Sequence, residues 1–275
     1  MKLKYFGTAA AEGIPGLFCN CRICQNALAV RGKEIKTRSQ ALIDDKILID
    51  FPPDTYLHIL GYGLDLREIK YCIITHSHED HYQTEDFWCR WEGIAHGISE
   101  GPLHIYLTEA GYREALDFHG KNADGTRLKF HKISAFEPFD IEDYRITPIR
   151  AQHSPETYPV IYLVEHAGKA MLYANDTGIL EEESWDYLAG LGVKLDFVSI
   201  DCTFMLIPNA RVSHMGLDTN QEFIGRLTAL GLCDEKTRVY VNHFSHNGGA
   251  THEELVLEAA KVGYGVSYDG LEVEF

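Results

Sequence analysis

Short apolar runs rich in β-branched residues recur along the chain, and segments with helical periodicity lie between them. Such runs predict strands, whereas apolar residues spaced three or four positions apart predict amphipathic helices. The predicted strands are KLKYFGT, QALIDDKILIDF (as a hairpin), YCIITH, HIYLT, YRITPIRA, VIYLVE, KAMLYAN, LDFVSID and RVYVNHF. Mixed strands with helices distributed among them suit two packed sheets covered by outer helices, which is an α/β architecture.

The remaining elements are predicted helices and a terminal hairpin. The helical segments are 55–61, 83–96, 109–118, 181–191, 219–230 and 253–262, several of them followed by a glycine that can end a helix. The last residues, VSYDGLEVEF, predict a hairpin because Asp-Gly is a favoured two-residue turn. Neither an internal repeat nor a Pro/Gly/Ser-rich linker divides the sequence, so we expect one domain over residues 1–275.

Charge and hydropathy restrict the partners. The formal net charge is -16 and the sequence contains no run of Lys and Arg, so a nucleic-acid partner is not expected. The start of the sequence does not resemble a signal peptide, and no apolar stretch approaches the roughly 20 residues that span a bilayer. We therefore expect a cytoplasmic protein that has no membrane association and acts on a small molecule.

The most informative motif follows the predicted strand YCIITH. His76-Ser77-His78-Glu79-Asp80-His81 places four potential metal ligands within six positions. Most of the fourteen histidines are expected to be packed or solvated, but clustered imidazoles and carboxylates are typical of metal sites. In an extended loop His76 and His78 can point the same way, while Asp80 and His81 face a neighbouring point. The motif therefore predicts two adjacent cations on one loop.

The segment THSHEDH resembles the His-x-His-x-Asp-His signature of the metallo-β-lactamase superfamily. The resemblance implies a four-layer αββα sandwich of two mixed β-sheets flanked by helices. It also implies three further ligands beyond later strands, for which the chain offers His153, Asp176 and His243. By this resemblance one metal is bound by His76, His78 and His153, the other by Asp80, His81 and His243, and Asp176 bridges both.

The same resemblance implies the chemistry. Two divalent metals about 3.5–4 Å apart can hold a bridging hydroxide and polarise a phosphoryl or carbonyl oxygen. The ligand types suit Zn or Mn, with Fe as a further option, and do not choose among them. His78 stands where oxygen-reducing members of the superfamily carry Glu, and Asp176 stands where antibiotic-hydrolysing members carry Cys. Phosphodiesterases, thioesterases and lactonases remain.

A second metal site is predicted near the start of the chain. Cys19, Cys21 and Cys24 form a C-x-C-x2-C arrangement, which is one ligand short of a tetrahedral structural zinc site. His246, three residues after His243, is a candidate for the fourth ligand. The alternative is a loosely packed loop of reduced thiols. The combination resembles, within the superfamily, the cyclic phosphate phosphodiesterases of the carbon–phosphorus lyase (phosphonate degradation) pathway, from GTAAAEGIP to NHFSHN.

That narrower resemblance implies the catalytic residues, Asp80 in the dinuclear site and His214 as the group that protonates the leaving group. A positioned imidazolium contributes about 10²–10⁴ in rate. A helix-capping or solvated His214 is the alternative. Asp201 is a candidate to orient His214 or a metal ligand, and Arg38 is either a phosphate contact or a simple exposed charge.

The expected function is metal-dependent hydrolysis of a small cyclic phosphate or nucleotide-like phosphodiester, of the 5-phosphoribosyl 1,2-cyclic phosphate type, by a metal-bridging hydroxide. Three alternatives stay open. They are an ester, thioester or lactone hydrolase, a tRNA 3′-processing enzyme, and a non-catalytic metal-binding protein of cofactor biosynthesis. A homodimer is consistent with the resemblance.

Overall fold

Two seven-stranded mixed sheets form the centre of the computed structural model, which describes residues 1–120 and 126–275. In spatial order the first sheet contains β14 (Glu272–Glu274), β1 (Lys2–Gly7), β2 (Gln40–Ile43), β3 (Ile47–Ile49), β4 (Tyr71–Ile73), β5 (Leu103–Leu107) and β6 (Leu128–Lys132). The second contains β13 (Gly265–Val266), β12 (Arg238–Asn242), β11 (Phe197–Asp201), β10 (Lys169–Ala174), β9 (Val160–His166), β8 (Tyr144–Arg150) and β7 (Phe139–Ile141).

Helices cover the outer faces of both sheets. In the described ranges they are α1 (Arg22–Val30), α2 (Thr55–Tyr62), α3 (Glu109–His119), α4 (Glu182–Leu191), α5 (Leu217–Ala229) and α6 (His252–Ala260). Trp185 and Phe223 of α4 and α5 are buried against the second sheet, and Ala115 of α3 is buried against the first. Tyr5 and Tyr162 belong to the core between the two sheets. The predicted αββα sandwich is therefore confirmed.

Parallel pairing directs several strand ends towards one place. In the first sheet β3 to β6 are parallel, and in the second β10 to β13 are parallel. Because parallel strands end at the same edge of a sheet, the residues after β3, β10 and β12 collect there. Three of these residues have left-handed backbones, Asp50 (φ 64), Asp176 (φ 48) and His243 (φ 63). Strained non-glycine residues of this kind cluster at functional sites.

The predicted hairpin QALIDDKILIDF is confirmed as β2 and β3, whose antiparallel pair turns at Asp44 and Asp45. Three residues, 44–46, lie between the paired Ile43 and Ile47, and the positive φ of Asp44 and Asp45, 47 and 57, lets the chain reverse tightly. The hairpin predicted at the end of the chain is wrong. β13 pairs in parallel with β12, whereas β14 pairs antiparallel with β1 in the other sheet. The turn at Asp269-Gly270 therefore connects the two sheets, which the Asp-Gly pattern cannot distinguish from a hairpin.

The helix predicted over 83–96 is also wrong. The segment forms a 3-10 helix over Thr84–Arg90 and an irregular stretch after it. Gly93 and Gly97 have positive φ, 84 and 62, which ends any regular helix. Phe87 is buried while Trp88 is 43% exposed, so the segment lacks one continuous apolar face. The other five predicted helices are present as α2 to α6.

Three elements were not predicted from the sequence. α1 buries only Ile23, Cys24 and Ala27, β6 is polar at three of its five positions, and β7 is only three residues long. Low apolar content in α1 and β6 and the shortness of β7 leave too little periodicity to predict these elements. Within the described ranges, no helix combines the length and the apolar character needed to cross a membrane.

Candidate metal centre

The first group of predicted ligands converges at the edge where the two sheets meet. His76 Nε2 lies 2.9 Å from His78 Nδ1, and His153 Nε2 lies 3.2 Å from the same His78 atom. The loop after β4 supplies the first two side chains, and the loop after β8 supplies the third. Three imidazole nitrogens facing a common point form a donor set that a divalent metal can occupy.

The second group lies beside the first. His81 Nε2 is 3.2 Å from Asp80 Oδ2 and 3.2 Å from His243 Nε2. His81 and His243 are buried, and Asp80 is half-buried towards a cavity. The structure thus brings together the two groups that the resemblance implied, one on each side of a single aspartate.

That aspartate is Asp176, which directly follows Asn175 at the end of β10. Its Oδ2 lies 2.8 Å from His81 Nε2 and 2.9 Å from His243 Nε2, and its Oδ1 lies 3.8 Å from His153 Nε2. Although it is buried, Oδ2 makes no hydrogen bond of acceptable geometry within the described residues. A buried carboxylate oxygen without a hydrogen bond is costly unless a cation compensates it, so the donor set fits bound metal.

The ionisation states of Asp176 and His76 suit metal binding. Burial alone would raise the pKa of Asp176, but the imidazoles of His243 and His81 outweigh it and hold this pKa well below the ordinary value. Burial, together with the neighbouring His81, lowers the pKa of His76 well below the ordinary value. An ionised carboxylate and a neutral imidazole are the forms that bind metals.

Two residues that sequence reasoning missed hold the ligands in place. Asp50 Oδ2 lies 2.7 Å from His81 Nδ1, and Thr203 Oγ1 lies 2.9 Å from His243 Nδ1. A partner on the far ring nitrogen fixes the tautomer and the orientation of a ligating histidine. Asp50 could have been found, because a carboxylate ends the apolar run ILID just as Asp201 ends LDFVSID. Thr203 has no comparable sequence pattern.

His214 lies next to this centre. Its Nδ1 is 3.0 Å from Asp201 Oδ2, and its ring stacks on that of His243 at 5.7 Å between centroids. Burial opposes protonation of His214, but the Asp201 carboxylate outweighs it and raises the pKa of His214 above the ordinary value. His214 lines a cavity of about 290 Å³ that also reaches the ligands. The remaining lining residues are Ala10, Ala11, Glu12, His78, Asp80, His153, Asp176, Thr203, Phe204, His243, Ser245 and Asn247.

Arg38 does not line this cavity. Its guanidinium pairs with Asp54 Oδ1 at 3.0 Å, and its Nε donates to the Ala11 carbonyl at 2.8 Å. The side chain therefore fixes the loop that precedes the cysteines. The prediction that it contacts phosphate has no support in this arrangement.

The second predicted cluster, called the Cys3His cluster here, consists of Cys19, Cys21, Cys24 and His246. His246 Nδ1 lies 3.5 Å from Cys19 Sγ and 3.7 Å from Cys21 Sγ, and one ligand atom from each of the four residues lies within 4.8 Å of the others. A Cβ on Gly16 would come within 3.0 Å of His246 Nε2, so this position is occupied by the residue that leaves room for the imidazole.

The thiols of the Cys3His cluster differ in acidity. Burial opposes ionisation of Cys21, but hydrogen bonds from the Cys24 backbone and from neighbouring thiols lower its pKa to about 7. Burial raises the pKa of Cys24 to about 12. Three adjacent thiolates need a cation to stabilise them, and the set of donors fits tetrahedral zinc. The other cysteines lie apart from this cluster, with Cys72, Cys202 and Cys233 buried and Cys89 exposed.

The fold and the donor set together are typical of metal-dependent hydrolases. Residues 46–244 match the family model described as a β-lactamase superfamily domain. The chain belongs to the metallo-β-lactamase superfamily.

Solved structures of low sequence identity share the fold over nearly the full length of both chains. A diphosphatase from the PhnP family has a TM-score of 0.74 at 22% identity and covers 100% of this chain and 97% of its own. Zn²⁺-bound PqqB from Methylobacterium extorquens has a TM-score of 0.73 at 20% identity, with 100% of both chains covered. The short form of human tRNase Z has a TM-score of 0.65 at 16% identity and covers 100% and 99%.

One curated relative is a protein of Porphyromonas gingivalis (strain ATCC BAA-308 / W83) named octanoyltransferase. It is 23% identical over 283 residues, which cover 99% of this chain and 51% of the relative. The chain thus spans about half the length of this relative.

Proposed function

We propose that the chain is a dinuclear metal-dependent phosphodiesterase that acts on a small cyclic phosphate or nucleotide-like phosphodiester, of the 5-phosphoribosyl 1,2-cyclic phosphate type. The observation that carries the proposal is the position of Asp176 Oδ2, 2.8 Å and 2.9 Å from the Nε2 atoms of His81 and His243, without a hydrogen bond among the described residues. The names of the structural relatives, a diphosphatase and a tRNase, support phosphate-ester chemistry.

In this proposal His76, His78 and His153 hold one metal, Asp80, His81 and His243 hold the other, and Asp176 serves both. When bound, two divalent cations supply Lewis acidity and lower the pKa of water to about 7. Zn or Mn fits these nitrogen and oxygen ligands, and Fe is a further option. Asp50 and Thr203 keep the ring nitrogens of His81 and His243 directed at the centre.

His214 is the proposed proton donor to the leaving oxygen. Phosphodiester cleavage expels an alkoxide, which needs a proton at neutral pH. Asp201 Oδ2 accepts from His214 Nδ1 at 3.0 Å, which leaves Nε2 of the same ring as the atom that can carry the transferred proton. Asp201 also lies 3.4 Å from His243 Nδ1, so one carboxylate positions both rings.

The Cys3His cluster is the proposed site of a structural zinc. Four protein ligands leave no open position for substrate, so this zinc would stabilise the segment over residues 19–24, which includes the first turn of α1, and have no part in hydrolysis. Its ligand His246 and the dinuclear ligand His243 are three residues apart, which connects the two sites through one segment.

The test is elemental analysis of protein purified without chelators, followed by assays on bis-p-nitrophenyl phosphate, a ribose cyclic phosphate and p-nitrophenyl acetate. We expect about three metals per chain, with hydrolysis of the two phosphodiesters well above that of the acetate. Protein that binds two metals in the dinuclear centre but hydrolyses only the acetate would overturn the phosphodiesterase assignment. Folded protein that cannot be loaded with metal would overturn the metal centre itself.

A carboxyl-ester or thioester hydrolase is the second candidate. The same metal centre can polarise a carbonyl oxygen. The observation in its favour is the similarity to the P. gingivalis protein, whose name denotes transfer of an octanoyl group and of which this chain spans about half. An octanoyl thioester added to the substrate panel tests this alternative. Faster turnover of the thioester than of bis-p-nitrophenyl phosphate would favour the thioester hydrolase over the phosphodiesterase.

A further inference from the structure

A second cavity lies apart from the candidate metal centre, between the first sheet and the segment over residues 86–98 that covers it. Its volume is about 150 Å³, and none of the described residues lines both this cavity and the one beside the metal ligands. Eight of its twelve lining residues are apolar, and the remaining four are Arg67, Asp86, Cys89 and Arg90. We name it the Arg90 cavity, after the lining residue whose surroundings are the least expected.

Arg90 has hydrogen-bond donors that no other group uses. Its Nε and Nη2 atoms are buried, and neither makes a hydrogen bond within the described residues. Burial lowers the pKa of Arg90 below its ordinary value, and the nearby guanidinium of Arg127, which donates to the Ala95 carbonyl at 3.1 Å, lowers it further. A buried cation is costly unless it is paired. The surroundings of Arg90 therefore favour an anion.

The other charged side chains that line the cavity do not supply this anion. Asp86 is exposed to solvent and makes no ion pair with Arg90. Arg67 is already paired, since its Nε and Nη2 donate to the two carboxylate oxygens of Asp65 at 2.8 Å and 2.6 Å. These are the same two guanidinium atoms that have no acceptor in Arg90. The free edge of Arg90 thus matches the two oxygens of a carboxylate.

The walls of the Arg90 cavity indicate what the carboxylate carries. The rings of Phe51 and Phe87 stack at 4.3 Å between centroids, and Leu48 and Leu103 are buried strand residues. A bare inorganic anion would leave these apolar walls uncovered, whereas an alkyl chain gains stabilisation with every methylene that it buries. An apolar cavity of about 150 Å³ holds a molecule of about the size of benzene, which has six carbons.

We propose that the Arg90 cavity is a binding site for a carboxylate with an unbranched apolar chain, about six carbons in all. The carboxylate accepts from Nε and Nη2 of Arg90, and the chain lies against Phe51 and Phe87. This site is independent of the proposed hydrolytic function, because its lining includes none of the candidate metal ligands.

Calorimetric titration of the metal-loaded protein with hexanoate tests the site, with acetate and hexan-1-ol as matched ligands. We expect a Kd of about 1 mM or below for hexanoate. Acetate lacks the chain and hexan-1-ol lacks the charge, so each should bind at least about tenfold more weakly. In Arg90→Met, which keeps an apolar stem but removes the charge, the Kd for hexanoate should rise at least about tenfold. An equal Kd for acetate and hexanoate, or an unchanged Kd for hexanoate in Arg90→Met, would overturn the proposal.

Thermal unfolding separates an unpaired guanidinium from one with a structural role. Without ligand, Arg90→Met should have a Tm equal to or above that of the wild type, because it removes a buried charge that lacks a partner. Hexanoate should raise the Tm of the wild type and leave that of Arg90→Met unchanged. A lower Tm in ligand-free Arg90→Met would show that the guanidinium already stabilises the fold, and it would overturn the site.

Two further variants test the location. Ala95→Leu fills part of the cavity and keeps Arg90, so it should weaken hexanoate at least about tenfold and leave the binding of acetate unchanged. Arg145→Gln, at an exposed arginine outside the cavity, should match the wild type with every ligand. Metal content should be the same in all of these proteins. Hexanoate binding that is unchanged in Ala95→Leu, or that falls with metal content, would place the carboxylate elsewhere and overturn the proposal.

Discussion

The proposed dinuclear centre and the Cys3His cluster are built in opposite ways. The proposed dinuclear centre would take its seven ligands from loops between residues 76 and 243 that follow strands of both sheets, and these candidate donors are imidazoles and carboxylates beside a cavity. The Cys3His cluster takes three of its four candidate ligands from the six residues 19–24, on the loop before α1 and in the first turn of that helix. The first therefore depends on the whole sandwich, and the second depends mainly on one loop.

The difference corresponds to two kinds of metal chemistry. Thiolates in a closed tetrahedral set bind a metal for stability, whereas nitrogen and oxygen donors beside a cavity leave room for a substrate. The two regions meet in the segment that contains His243, Ser245 and His246, and in Glu12, which contacts Ser245. Selective substitutions can show whether the two sites act separately or depend on each other through this segment.

The largest effect is expected at the aspartate between the two ligand groups. Asp176→Asn keeps the size of the side chain but removes the charge that would serve both proposed metals, so activity should fall at least about a thousandfold as the several kcal/mol of metal catalysis are lost. Elemental analysis should find about one metal per chain remaining, in the Cys3His cluster. The exposed Asp117→Asn is the matched control and should retain full activity. Loss of all metal from Asp176→Asn would show that the two regions are not separable.

A smaller effect should distinguish chemistry from metal binding within the dinuclear centre. His214→Ala removes the proposed proton donor while all seven ligands remain, so turnover should fall about a hundredfold, at the lower end of the contribution of general acids. Metal content should stay at the wild-type level. His96→Ala, at an exposed histidine, is the control. Unchanged turnover would remove His214 from the mechanism, and reduced metal content would make it part of the metal site.

The Cys3His cluster should respond in the reverse manner. Cys21→Ser should lower the zinc content by about one per chain and the free energy of unfolding by about 3 kcal/mol, which lowers Tm by about 6–12 °C. The two metals of the dinuclear centre should remain, with activity reduced only as far as the His243–His246 segment loosens. Cys89→Ser, at an exposed thiol, should match the wild type. Retained zinc stoichiometry in Cys21→Ser would contradict the assignment of the cluster.

The sequence predicts the layers of the fold better than it predicts the connections between the strands. The order of strands and five helices follows from apolar periodicity, because burial on one face constrains residue type at regular spacing. The connection through Asp269-Gly270 cannot be predicted in this way, because the same dipeptide occurs in hairpins and in connections between sheets. The helix predicted over residues 83–96 was wrong because Gly93, and Gly97 just after the segment, have positive φ, which helical periodicity cannot reveal.

The residues of the candidate site also differ in how well the sequence predicts them. The residues of the THSHEDH motif are close in sequence, so the sequence alone predicts that they bind metal. His153, Asp176 and His243 needed the superfamily pattern, since the fold alone brings them to the motif, Asp176 and His243 at the ends of parallel strands and His153 on the loop after the antiparallel β8. Asp50 ends the apolar run ILID, so its place at a strand end is visible in the sequence although its histidine partner is not, whereas Glu12 has no distinctive pattern along the chain. Their roles depend on contacts with His81 and Ser245 that form only in three dimensions.

The smallest effect concerns the polar network beneath both regions. His58 is buried, with Nδ1 2.6 Å from Gln40 Oε1 and Nε2 2.8 Å from Thr37 Oγ1. The Thr37 carbonyl accepts from the Ala9 backbone, and the neighbouring Lys36 pairs with Ile14, so this network supports the loop that leads to the cysteines. Ala10 in turn donates to the Phe244 carbonyl beside His243. Acid that charges His58 should therefore weaken the support of both regions.

Burial lowers the pKa of His58 from 6.5 to about 4. The folded state then binds this proton less readily than the unfolded state, so the contribution of His58 to stability is complete above pH 6.5 and is lost as the pH falls towards 4. Between pH 7 and pH 5 the loss amounts to about 2 kcal/mol. In His58→Gln the decrease in unfolding free energy over that range, measured by urea denaturation, should be smaller than in the wild type by this amount. Asp269, whose pKa burial raises to about 6, is present in both proteins and largely cancels in the difference. His96→Gln, at an exposed histidine, should keep the wild-type pH dependence of the unfolding free energy. If His58→Gln also kept the wild-type dependence, acid would act first on the metal ligands and not on the network that supports both regions.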